Sequence, residues 1–139
     1  MTDDQETRNR QTVLSLYKAT GRGDWEKAAT LMTEDILIRE ASTLPFAGEY
    51  RGVAAMRELF AKVVSTGVTG VDMRQVTAGA DWVVVLLDLL YPGDPPVRVP
   101  LAEAFRLENG KVCEIVPYYF DTSVVAAAAR HADLTLPSH

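Results

Sequence analysis

Asn109-Gly110 separates two strand-like runs, "VRVPLAEAFRLE" (97–108) and "KVCEIVPYYFD" (111–121). A two-residue hairpin loop needs positive φ at both central positions, and Asn-Gly supplies it at the least steric cost. The pair therefore commits this part of the chain to an antiparallel ribbon. Upstream, "VDMRQVTA" and "DWVVVLLDLLY" flank Gly79 as a second ribbon. The "PGDPP" that follows is a turn, since proline cannot donate to a strand ladder. "DILIREA" reads as a further short strand.

Helical spacing dominates elsewhere. Val13, Leu14 and Tyr17 recur at that spacing before Gly21 and Gly23 end the segment. Asp24 is placed to N-cap a short helix whose inner residues are Trp25, Ala28, Ala29 and Met32. A third helix runs from about Val53, with Met56, Leu59, Phe60 and Val63 on one face. Helical composition returns in the tail, 122–134. Three helices followed by a mostly antiparallel sheet is an α+β layout, and a sheet curved over helices leaves a concavity suited to a ligand. The expectation is a single domain over 1–139, with a flexible polar N-terminus at 1–10 and a C-terminal extension at 123–139.

Charge and composition exclude several classes. A net charge of −5 with singly scattered Lys and Arg suits neither nucleic acid nor an anionic membrane surface. The N-terminal "MTDDQETRNRQ" lacks the apolar core of a signal peptide, and the longest apolar run, "WVVVLLDLLY", is short for a membrane span and broken by Asp88. One cysteine, Cys113, allows no intramolecular disulfide and suits a reducing, cytoplasmic setting. His131 and His139 both fall in the tail, and no His or Cys pair has metal-ligand spacing. No Ser or Cys nucleophile comes with a histidine base, and "GRGD" is no phosphate loop. No metal or cofactor is called for.

Two glutamates break this ordinary picture. With a two-residue period, one face of 97–108 carries Val97, Val99, Leu101, Glu103, Phe105 and Leu107. Glu103 sits in the middle of the apolar row. Glu40 ends a second such row after Ile36 and Ile38. Burying a lone carboxylate is costly, so such a group pairs, shifts its pKa or has a chemical role. For Glu40 the plain alternative is a strand end turned to water. For Glu103 it is a pair with Arg39, Arg57 or Arg74. Two carboxylates converging on one cavity could divide acid and base work between them.

Other side chains join the candidate list. Ile115, Pro117, Tyr119 and Asp121 share a parity, so Tyr119 and Asp121 line the cavity if Ile115 faces inward. Alternatively Tyr119 is wall and Asp121 caps the following helix at "DTS". Asp88 is either a third pocket acid or an interface residue. Phe46 and Tyr50, in the connection before the third helix, form either a lid or simple packing. Trp25 is assigned to the core.

"VLSLYKATGRGDWEKAATLMTEDILIREA", "YRGVAAMRELFAKVV" and "AEAFRLENGKVCEIVPYYF" together resemble the NTF2-like superfamily, and more narrowly its ketosteroid isomerase-like and SnoaL-like (polyketide cyclase) branches. The resemblance spans about residues 12–122. It implies a cone, a strongly curved sheet around three helices, with a deep apolar pocket and a homodimer formed through the sheet's outer face. The richly apolar 83–91 strand agrees with such a dimer. Residue by residue, it puts Glu40 where the isomerases carry their proton-shuttling aspartate and Glu103 where they carry a protonated aspartate of the oxyanion hole. Their oxyanion tyrosine aligns with Leu16, one residue or about 100° from Tyr17, and a supporting tyrosine aligns with Phe60. The arginine of the epoxide-hydrolase branch aligns with Leu101, and the strand aspartate of SnoaL-like cyclases with Pro117.

The expected function is cofactor-free acid–base chemistry on a small apolar carbonyl compound, either enolisation-type isomerisation or polyketide-like cyclisation. Glu40 and Glu103 are the catalytic candidates, and Tyr17, Tyr119, Asp121 and Asp88 the further polar ones. The expected lining is Leu16, Ile38, Phe46, Tyr50, Phe60, Leu101, Phe105 and Ile115. The alternative is a non-catalytic module of the same fold that binds a hydrophobic ligand or dimerises.

Overall fold

The structure of the protein, a computed structural model, describes residues 2–135, with side chains described over 4–130. Among the described residues there are four helices, α1 (Thr2–Gly21), α2 (Trp25–Thr30), α3 (Val53–Ser65) and α4 (Ser123–Thr135). The strands are β1 (Met32–Glu40), β2 (Gly48–Arg51), β3 (Gly70–Gly79), β4 (Trp82–Tyr91), β5 (Val97–Glu108) and β6 (Lys111–Tyr119).

The Asn-Gly turn closes the β5–β6 hairpin as its chemistry requires, with φ of 52° at Asn109 and 79° at Gly110. The strands form one mixed sheet in the order β2-β1-β6-β5-β4-β3. Only β1 and β6 run parallel, with Ile38 opposite Ile115; the other neighbours are antiparallel. The sheet curves without closing, and this is the α+β cone expected from the sequence.

One face of the sheet builds the core. Val83, Val85, Leu87 and Leu89 of β4 alternate inward, as do Val99, Leu101, Phe105 and Leu107 of β5, and all are buried. α1 rests on β3, β4 and β6, and α3 on β1 and β2. Asp24 caps α2 by accepting from the Lys27 N–H, and Trp25 packs edge-on against Phe60 of α3.

Four local features differ from the sequence reading. α1 already starts at Thr2, so the polar segment 2–10, expected as a flexible N-terminus, is helical. Side-chain hydrogen bonds one turn apart, such as Gln5 to Asn9, support it, and Glu6 accepts from the Ala80 N–H in the β3–β4 turn. Met32 does not close α2; the α2 C-cap falls at Leu31, and Met32 opens β1 opposite Val112. β2 lies in what read as a loop, because four residues among Ser, Thr, Pro and Gly are too few to show alternation. Finally, α4 is not a mere appendage: Val125 and Ala129 are buried in the core.

Candidate active site

The inward faces of β1, β5 and β6 meet below α1 and α3 around an apolar cavity of about 240 Å³. β1 contributes Ile38 and Glu40, β5 Leu101, Glu103 and Phe105, and β6 Ile115 and Tyr119. Leu16, Tyr17 and Thr20 line it from α1, and Met56, Leu59, Phe60, Val63 and Val64 from α3. Both glutamates therefore reach the same hollow. Pro117 is the cross-strand partner of Glu103. Glu40 lies on β1, two residues beyond Ile38, the last β1 residue paired with β6.

Tyr17 completes the polar group. Its hydroxyl donates to Oε1 of Glu103, while its ring packs edge-on against Phe105 with centroids 5.5 Å apart. Leu16 also lines the cavity, so two successive positions of α1 do so. Thr20, three residues past Tyr17, spends its hydroxyl on the carbonyls of Leu16 and Tyr17. Helical spacing from Leu16 and Tyr17 already marked Thr20 for this wall, though the sequence reading passed over it.

The electrostatics follow from burial. Desolvation, then repulsion from Glu103, pushes the Glu40 carboxyl up to about 8. Desolvation also raises Glu103, and the hydrogen bond from Tyr17 only partly opposes this. Tyr17 is driven far above its ordinary range by burial and by the adjacent Glu103, and Tyr119 rises through burial, Glu40 and Glu103. Oε1 of Glu40 is buried and accepts no hydrogen bond from the described protein atoms. Both carboxyls are thus held above the ordinary glutamate range, Glu40 close to neutral pH.

Four candidates fall outside the cavity lining. Phe46 is buried in the core, and the hydroxyl of Tyr50, on β2, donates to the Phe46 carbonyl at 2.8 Å. These two are packing, because pairing with β1 holds Tyr50 opposite Ile38 instead of over the mouth. Asp121 is exposed and accepts from the Ser123 N–H at 2.9 Å, capping α4. Asp88 projects from the outer face of β4, where Arg74 (2.5 Å) and Arg98 (3.0 Å) cover it. Those guanidinium groups hold its carboxyl below the usual range. Glu103, in contrast, has Tyr17 for a partner and no arginine. Among the described residues no three His, Cys, Asp or Glu side chains are grouped to hold a metal ion, and His131 and His139 lie outside the described side chains.

Comparison with known proteins matches residues 13–115 to the SnoaL-like domain. The chain belongs to the SnoaL-like domain family. This places it in the SnoaL branch of the NTF2-like superfamily. Among solved structures, this SnoaL-like chain is similar to Bal32a from a soil-derived mobile gene cassette, at 20% identity and a TM-score of 0.79, covering 90% of this chain and 98% of that one. It is also similar to an NTF2-like protein from Burkholderia xenovorans LB400, at 25% identity and a TM-score of 0.75, covering 89% and 97%. A third likeness is to a protein from Jannaschia sp. CCS1 proposed to be a SnoaL-like polyketide cyclase, at 25% identity, a TM-score of 0.71 and 95% of both chains. No curated protein sequence matches this SnoaL-like chain. No described helix is long and apolar enough to cross a membrane.

Proposed function

We propose that this SnoaL-like protein is a cofactor-free enzyme that enolises a small apolar carbonyl compound. The observation that carries the reading is the Tyr17–Glu103 hydrogen bond beside Glu40 in one apolar cavity. Ionised Glu40 removes a proton from the carbon next to the carbonyl, and the electron pair moves onto the carbonyl oxygen. Tyr17 already donates to one oxygen of Glu103, so the acid proton on the other is free to hydrogen-bond that oxygen as its charge develops. Return of the proton from Glu40 to another carbon gives isomerisation. Attack of the enolate carbon on a second carbonyl in the same molecule, with the resulting alkoxide taking the proton back from Glu40, gives cyclisation, and the Jannaschia likeness favours a polyketide-like substrate for that branch.

The sheet's outer face supports a homodimer: Leu86, Ala102 and Tyr118 form one row across β4, β5 and β6, with Leu86 and Tyr118 exposed. Sedimentation at micromolar concentration tests this part, and a monomer there removes it.

The enzymatic reading is tested by incubating the protein with a panel of cyclic ketones in D₂O and following the α-position by NMR. Exchange above buffer that disappears in Glu40→Gln is the expected result. Binding without exchange leaves a passive hydrophobic-ligand module.

A further inference from the structure

Glu40 and Tyr119 line two hollows, the apolar cavity and a more polar cleft of about 560 Å³, and Glu40 is only partly buried between them. The cleft has a structural cause. The parallel ladder between β1 and β6 ends at Ile38 and Ile115, and Pro117, two residues on, has no N–H with which to extend it. β1 then turns away through 41–47 to pair with β2, and the gap is lined by Arg39, Ser42, Thr43, Glu49, Tyr118 and Thr122.

The cavity's own apolar mouth lies elsewhere. Val64 of α3 and Val71 of β3 line the cavity and are nevertheless exposed, at 51% and 45%. An apolar ligand entering there would seal the cavity side of Glu40 from water. A carboxyl that trades its proton for one from solvent while such a ligand stays bound then needs another route to water.

We infer that the β1–β6 cleft is a second, polar opening onto Glu40, through which its carboxyl exchanges protons with water while an apolar ligand fills the cavity. The protonated carboxyl gives its proton to a water in the cleft, forming hydronium and regenerating the carboxylate, with no redox change. The cleft accepts water and small hydroxylic species, in keeping with the hydroxyls of Ser42, Thr43 and Thr122. Its charged rim is paired, with Arg39 3.8 Å from Glu49 and 3.5 Å from Glu114. Inside, Glu103 of β5 and Tyr119 of β6 are the titratable groups facing Glu40, with Tyr17 of α1 behind Glu103. The purpose assigned to this opening rests on Glu40 being the base; its existence does not.

The test uses the full chain with ¹³C-labelled glutamate carboxyls, titrated by NMR with and without naphthalene in the cavity. Toluene replaces naphthalene if the Ile38 and Leu101 methyl signals do not move. In the wild type the hydrocarbon should leave the Glu40 midpoint within about half a pH unit, because cleft water still solvates the carboxylate. In Ser42→Trp and Thr43→Trp, exposed positions where a larger side chain can cover the cleft without touching the core, the same probe should raise it by about one unit or more. The same response in wild type and both variants, large or small, overturns the inference. The ketone exchange assay decides separately whether Glu40 is a base, so either idea can fail alone.

Discussion

Tyr17 on α1 and Glu103 on β5 stand 86 residues apart in the chain and share a hydrogen bond inside the cavity, with the tyrosine donating. The bond fixes the Glu103 carboxyl against a helix and leaves its second oxygen for a ligand. It also helps explain why a carboxyl group is tolerated in the middle of an apolar strand face: it has a hydrogen-bond partner, and burial shifts it toward its uncharged form.

Tyr17→Phe keeps the edge contact with Phe105 and removes only the donor. Tyr17 acts through Glu103 as a positioning residue, so the ketone exchange rate should fall by about tenfold, less than the 10²–10³ typical of a directly lost oxyanion donor. Glu103→Leu removes the direct donor and should reach that larger range. The Glu103 midpoint, followed by ¹³C NMR, should move further up in Tyr17→Phe, because the hydrogen bond that opposes its rise is gone. An unmoved midpoint would show that the two groups are not coupled.

The pH profile follows from Glu40. A base must be ionised to accept a proton, and this carboxyl titrates at about 8. The exchange rate should therefore climb from pH 6 to pH 9 with a midpoint near 8. A rate flat across that range would assign the proton transfer to another group.

Much of this was legible before any coordinates. The two-residue period placed Glu40 and Glu103 each on one face with its apolar neighbours, and the Asn109-Gly110 turn set Glu108 against Lys111. A register shift between Arg106 and Leu107, which the turn does not announce, is what brings Glu103 opposite Pro117. Tyr17 was harder, because helical spacing puts both residues 16 and 17 near one wall and only packing decides which hydroxyl arrives. Asp88 misled for a definite reason: parity gives the face of a strand, but not which face of the sheet is covered. Its partners Arg74 and Arg98 come from the neighbouring strands β3 and β5, and pairing between strands is not written in any one of them. The cleft was invisible for the same reason, since it depends on where β1 leaves β6.

Val125 tests how far α4 belongs to the fold. It is fully buried, so Val125→Ala deletes two methyl groups from the core and should cost about 2 kcal/mol, counting transfer and residual cavity. Urea denaturation reads this directly. A loss below about 0.5 kcal/mol would mean that the helix docks loosely and that the core is complete without it.

Stability and activity should run in opposite directions with pH. The folded-state carboxyl of Glu40 titrates at about 8 against an ordinary 4.5. Between those values the folded protein holds a proton that the unfolded chain has released, so stability must fall as pH rises through the window. One pKa unit corresponds to about 1.4 kcal/mol, which sets a ceiling of about 5 kcal/mol on this decline, reduced by whatever water reaches the carboxylate. Glu103, also raised, adds its own decline toward higher pH. Asp88 acts oppositely: its depressed value stabilises above the ordinary aspartate range and is lost only in acid, outside this window. Urea unfolding at half-unit steps from pH 5 to 9 should show the downward slope in the wild type and a shallower one in Glu40→Gln, which cannot ionise. Equal slopes in the two proteins would mean that Glu40 is solvated like a surface carboxylate, and the proposed reaction would then have no base poised near neutral pH.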